Sequence, residues 1–366
     1  MRSNVVLAGA LVVTLGVVLA TGRSGTSAPA EGTPTGPAAL AAVVPAFDPV
    51  RLKPGEKPPQ FVIVSFDGAG DHDKWMFWRG VAQRSGARFT GFLSGVYLLD
   101  RAHRDEYTGP GHRPGASSLG SWNTPAEVTT LIADLNSAYA AGMEIGTHYN
   151  GHFCAGSEPA AGDWSTAAWT SELSQFFRFW TAHRDLTVPA TEVRGGRTPC
   201  LEGKADQLEP ALRARGFTYD TSRTSNGIRW PVKDEYGLWE FPLAYVPLAG
   251  TGSGVVSMDY NFWVKQTGNP PSTRDSAASS KQVLATYRAM YAATYRGNRA
   301  PLVLGNHFNS WNGNAYTQAL AAFVQETCRK PETLCVPYRD VIAWMQAQTP
   351  AVLTSLQARP PVYTVG

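Results

Sequence analysis

Two histidines four residues apart, His148 and His152, stand in the run Gly146, Thr147, His148, Tyr149, Asn150, Gly151, His152. Imidazoles at that spacing can converge on one ion. Asn150-Gly151 disfavours regular helix, so the pair is expected on a loop at a strand end. Tyr149 stands where a zinc protease of the H-E-x-x-H type carries its glutamate, which removes that reading. A hydrolytic metal site needs a third ligand and an open position for water. The bland alternative is chance spacing among seven histidines, satisfied by ordinary hydrogen bonds.

Acidic candidates follow the apolar run FVIVSF at residues 61–66: Asp67, then Gly68, Ala69, Gly70, Asp71, His72 and Asp73. Clustered carboxylates can divide labour, one accepting a proton and another holding an ion. They can also simply cap the amides of a turn. The glycines do not form a phosphate loop, because the later Lys-Ser/Thr and the required spacing are missing. Arg197 lies in a turn with Pro199 and Cys200 and could orient a carboxylate through a charge-assisted hydrogen bond. Asp259 and His307 each close an apolar run. His307 could donate a proton to a leaving group while Asp259 holds its tautomer.

Strand-like runs at 61–66, 87–93, 143–147, 192–194, 217–219, 238–243, 255–258 and 301–304 have the short, β-branched or aromatic character of buried strands. Helical patterns are expected near 75–85, 124–141, 171–183 and 281–295. This alternation predicts an α/β domain. A barrel would explain why Asp67, His148, Arg197, Asp259 and His307 each trail a strand, since barrel enzymes gather reactive groups at the C-terminal strand ends. Periodicity alone does not separate a barrel from an open doubly wound sheet.

The bulk properties exclude some partners. The 366 residues are 43% hydrophobic and 17% charged, with a net charge of +3 and no basic block, so nothing favours nucleic acid. Eleven Trp, 14 Tyr and 15 Phe suffice for a core and for a sugar cleft. Tyr260, Trp263 and Trp311 are the candidate lining residues, and Tyr260 and Trp263 are also credible as core.

Arg2 followed by an apolar run from residue 5 to 20 reads as a signal peptide, or as an uncleaved anchor and the sole membrane contact. Residues 21–58, rich in Pro, Gly, Ala and Thr, read as a disordered spacer. Residues 59–348 read as one catalytic domain and 349–366 as a tail. A secreted or extracytoplasmic location makes disulfides available to Cys154, Cys200, Cys328 and Cys335. Cys328 and Cys335 are near neighbours, which leaves Cys154 with Cys200; buried free thiols are the alternative.

In order and local form these motifs resemble the polysaccharide deacetylase family, the NodB-homology domain of carbohydrate esterase family four. The resemblance runs from Phe61 to about Trp344. It implies a distorted (β/α) barrel, commonly seven-stranded, and one divalent metal ion, usually zinc. It makes Asp67 the catalytic base, Arg197 its orienting partner, His307 the acid and Asp259 that acid's partner. His148 and His152 become metal ligands, and the backbone N–H of Cys200 an oxyanion donor. The chain departs from the family at Gly68, which stands where a second Asp supplies the third ligand. Asp71 is the expected replacement and Asp73 the reserve. The implied activity is metal-dependent removal of N-acetyl groups from a cell-wall or extracellular polysaccharide. The alternatives are a catalytically impaired relative that binds glycans, and an O-acetyl esterase or metal-free amide hydrolase.

Overall fold

The computed structural model describes residues 47–268 and 272–366. The expected leader at 1–20 and most of the spacer lie outside the described residues. Strand β1 (Gln60–Asp67) is buried along its whole length, as a run with apolar residues on both faces requires. It is flanked by β2 (Thr90–Leu93), which continues outward through β3 (Glu144–Thr147), β4 (Gly195–Gly196) and β5 (Tyr219–Asp220). The chain then forms β6 (Thr224–Asn226), β7 (Val232–Lys233), β8 (Trp239–Glu240), β9 (Leu243–Pro247) and β10 (Gly254–Val256). It returns as β11 (Leu302–His307) on the far side of β1, and then as β12 (Thr333–Cys335).

The main sheet has the order β11-β1-β2-β3-β4-β5-β8-β7, with β12 paired to the start of β1. Seven of these strands, β11 through β8, run parallel, and β7 is an antiparallel edge. Strands β10, β9 and β6 form a small separate sheet. The Ser257 hydroxyl donates to the Val303 carbonyl, and Met258 bridges Gly305, so this small sheet leans on β11 without closing the large one. The result is a curled, open half-barrel flanked by helices, the distorted α/β barrel that the motifs led us to expect.

Helices α1 (His72–Ser85), α2 (Pro125–Ala140), α3 (Thr166–Ala182) and α4 (Ala205–Ala214) connect the first strands. In α2, Thr124 and Glu127 form a reciprocal capping box and Pro125 occupies the first turn, where its missing N–H costs nothing. Beyond the small sheet come α5 (Asp259–Thr267), α6 (Ser276–Arg296), α7 (Trp311–Thr327), α8 (Tyr338–Ala347) and α9 (Pro350–Gln357). Among the described residues, no helix is long and apolar enough to cross a membrane.

An aromatic plug fills the barrel interior. Tyr338, at the start of α8, stacks on Tyr219 with ring centroids 4.8 Å apart and meets Phe92 at 5.8 Å. Strand β4 consists of two glycines because the plug on one side and strand β3 on the other leave no room for a side chain. A Cβ on Gly195 would lie 2.0 Å from the Tyr219 ring, and one on Gly196 would lie 2.8 Å from the Thr147 carbonyl oxygen.

Candidate functional site

The parallel sheet delivers its polar residues to one rim. Asp67 and His307 are the last residues of β1 and β11 and are paired in register. His148 directly follows β3, Arg197 directly follows β4, and Asp259 opens α5. Asp67, His148, His152, Cys200, Tyr260, His307 and Trp311 line one cleft of about 510 Å³. Trp263 stacks behind Trp311, ring centroids 4.9 Å apart, and Tyr260 meets Trp311 edge-on at 5.4 Å.

Arg197 is the anchor of this rim. It is fully buried, and its Nη1 donates to Asp67 Oδ1 at 2.9 Å. Its Nη2 donates to the hydroxyls of Ser65, Thr221 and Tyr338, and its Nε to the Thr221 carbonyl. The guanidinium also lies 5.1 Å from the Phe92 ring centroid. Ser65, Thr221 and Tyr338 had no sequence signal of their own; only the fold brings them to one cation.

Asp259 holds His307 through both carboxylate oxygens. Oδ1 bonds the imidazole Nδ1 at 2.7 Å and Oδ2 accepts the His307 backbone N–H at 2.8 Å, with Asn309 donating to Oδ2 at 3.2 Å. The free Nε2 faces Asp67 Oδ2 at 4.0 Å. Burial pushes the His307 pKa down, but Asp259, its hydrogen bond and Asp67 outweigh it and hold the imidazole above its ordinary value.

The two cleft histidines behave differently. His148 Nδ1 is tied to the Arg197 carbonyl at 2.7 Å, and burial, with His307 nearby, pushes its pKa down to about 3. His152 adopts φ 58°; burial, then His148, lowers its pKa to about 4. Both imidazoles are therefore neutral at ordinary pH. Their rings lie 5.1 Å apart.

This arrangement overturns the expected metal centre. Asp71 does not turn inward: its exposed carboxylate caps α1 by accepting the Lys74 backbone N–H at 2.9 Å. Asp73 is exposed in the first turn of the same helix. The glycine stretch expected to let them swing is pinned, with the Ala69 N–H on the Phe92 carbonyl and Trp75 Nε1 on the Ala69 carbonyl. A Cβ at Gly70 would lie 2.4 Å from the Tyr97 ring, so the stretch packs closely on that ring, while Gly68 itself sits at φ 64°, a backbone conformation that an L side chain rarely adopts.

Among the described residues, the group of three metal-capable side chains that does converge is His152, Cys154 and Cys200, with ligand atoms within 4.8 Å. Its two sulfurs are joined to each other at 2.03 Å and are not free to coordinate. The donor set does not fit a divalent ion. The readings of this chain as a zinc-binding protein, a metal-dependent N-deacetylase and a carbohydrate deacetylase enzyme built on such a centre are corrected accordingly. The other pair, Cys328 with Cys335, is also a disulfide, at 1.97 Å.

Glu172, on α3, was not singled out in the sequence and holds the histidine loop in shape. Its buried carboxylate accepts the N–H groups of Asn150 and Gly151 and the Tyr107 hydroxyl, and its backbone carbonyl accepts from the Asn150 side chain. Burial raises its pKa to about 7, against the pull of those donors. Its folded value therefore lies above the unfolded one, so its favourable contribution is full below about pH 4.5 and is lost as pH rises through about 7. Glu172→Gln should flatten the stability change between pH 5 and 7.5, read as the urea midpoint at each pH. An unchanged slope would remove Glu172 as its source.

The fold has solved counterparts. A candidate polysaccharide deacetylase from Mycobacterium smegmatis matches with TM-score 0.52 and 16% identity, covering 83% of this chain and 97% of that one. A candidate polysaccharide deacetylase from Pseudomonas aeruginosa PAO1 matches with TM-score 0.50 and 10% identity, covering 79% and 92%. No family model matches the sequence, and no curated protein does. The chain has the fold of the polysaccharide deacetylases, and at these identities the likeness speaks for fold alone.

Proposed function

We propose that this chain is a carbohydrate-binding protein on the deacetylase fold that has lost metal-dependent catalysis. The observation that carries this reading is the pairing, in one cleft, of an aromatic wall with fixed polar groups and no completed metal site. Tyr260 and Trp311 line the cleft with aromatic surface on which a sugar ring could rest. Asp67 and His307 offer hydrogen bonds at fixed positions. Apolar ring faces with a few convergent polar groups are what a small-molecule pocket uses to bind and orient. The proposed ligand is an acetylated polysaccharide or oligosaccharide. An extracytoplasmic location, reached through the leader at 1–20, accords with the two disulfides.

Titration calorimetry with N-acetylated oligosaccharides tests the reading. Binding is expected to survive a chelator unchanged. Trp311→Ala should weaken it about tenfold, the loss of one stacked face being worth about 1–2 kcal/mol. A chelator that abolishes binding, or a Trp311→Ala variant of full affinity, would sink the proposal.

A metal-free hydrolase is the second reading, favoured by the 4.0 Å approach of His307 Nε2 to Asp67. In that reading Asp67 takes the proton of the attacking water and His307 protonates the leaving group. Acetate release in the presence of chelator, abolished by Asp67→Asn, would establish it over binding alone.

A further inference from the structure

Beside the cleft lies a second depression, of about 680 Å³, whose walls are mostly polar. It carries Arg101, Arg104 and Arg113 against a single lining carboxylate, Glu158. Glu158 already accepts the Gly156 and Ala160 backbone N–H groups. Arg104 is paired with Asp105 at 3.4 Å. Arg101 and Arg113 are exposed and have no salt-bridge partner among the described residues. Two guanidiniums thus face solvent from one concave surface, and Trp122 on its wall adds an aromatic face.

The depression and the cleft share a partition. Leu119 and His152 line the cleft, while Gly120, Trp122 and Phe153, their near neighbours in the chain, line the depression. Ser118 N–H and Ser117 Oγ both bond the Gly151 carbonyl, which ties this partition to the histidine loop. A chain molecule crossing the partition would place one unit in the cleft and the next over the arginines. Guanidinium forks match planar carboxylates, and two of them without protein partners favour an acidic residue at that position.

We infer that the arginine depression is a second subsite for an acidic polysaccharide, one bearing carboxylates such as a uronic acid polymer. This rests on the carbohydrate-binding reading above. The test is calorimetry on the full chain with tetragalacturonate, with chitotetraose, fully N-acetylated, as a neutral saccharide of equal length, and with a thymidine pentanucleotide carrying four phosphates. Tetragalacturonate should bind about tenfold more tightly than chitotetraose, with an advantage that shrinks as salt rises. The exposed double variant Arg101→Gln/Arg113→Gln should lose that advantage and keep the wild-type affinity for chitotetraose.

Equal affinity for the two saccharides, or a double variant that still prefers the acid, would overturn the inference. So would pentanucleotide binding as tight as that of tetragalacturonate, which would mean undirected attraction of charge. If chitotetraose binds and tetragalacturonate does not, the subsite fails and the carbohydrate-binding reading stands. If neither saccharide binds, both fail.

Discussion

Arg197→Met is expected to cost about 3–5 kcal/mol of folding stability, because it leaves the Asp67 carboxylate in the barrel rim without its cation. That is a large share of the roughly 5–15 kcal/mol that holds a domain together. In a chain of this size it should lower the melting temperature by about 4–8 °C. The cost comes mainly from the partner left behind. Removing both charges in Asp67→Leu/Arg197→Met should therefore recover part of the loss, although Ser65, Thr221 and Tyr338 would still lack a donor. Thermal melts of the three proteins decide the matter. A single variant that melts with the wild type would mean that the rim does not depend on this pair.

Breaking the disulfide between Cys154 and Cys200 should cost more than breaking the one between Cys328 and Cys335. The first closes a loop with a sequence separation of 46, the second one of only 7. The chain-entropy relation gives about 4 kcal/mol for the longer loop and about 2 kcal/mol for the shorter. The first bond also ties the histidine loop to the turn after Arg197, so Cys154→Ser/Cys200→Ser should weaken glycan binding, whereas Cys328→Ser/Cys335→Ser should not. Equal losses of stability in the two double variants would reject the loop-length account.

The legible and illegible parts of this molecule divide along physical lines. The run at 61–66 could be read as a strand because its apolar residues are dense and β-branched, and the structure extends it only to 60–67. The helix signalled by Thr124-Pro125 begins where its capping box places it. Strand β4 was expected at 192–194 and forms at Gly195–Gly196, because propensity has nothing to read in two glycines that yield space to Tyr219 and to Thr147 of β3. Helix α4 was missed, with Pro210 inside it, and so was α7, whose first turn includes Asn312, Gly313 and Asn314 at positive φ. Three-dimensional packing supports both where local preference does not.

At the site, the gathering of Asp67, His148, Arg197 and His307 was foreshadowed because each ends or directly follows a strand of the same parallel sheet, while Asp259 follows β10 of the small sheet that leans on β11. The error lay in treating the glycine stretch after Asp67 as freedom. Tyr97, 27 residues beyond Gly70 in the chain, packs against Gly70 and helps to hold the stretch in place, and nothing in the local sequence announces it.

An unclosed barrel leaves a strand edge that could recruit a strand from another molecule. Here that edge is β7, only two residues long, preceded by Pro231, which has no N–H to offer. Its second residue is the exposed Lys233, whose ammonium lies 5.2 Å from the Trp239 ring centroid. A short edge with a proline at its entry and a cation at its tip is a poor template for pairing. The protein can leave its barrel open without inviting edge-to-edge polymerisation, and the opposite margin, β11, is covered where Met258 bridges Gly305.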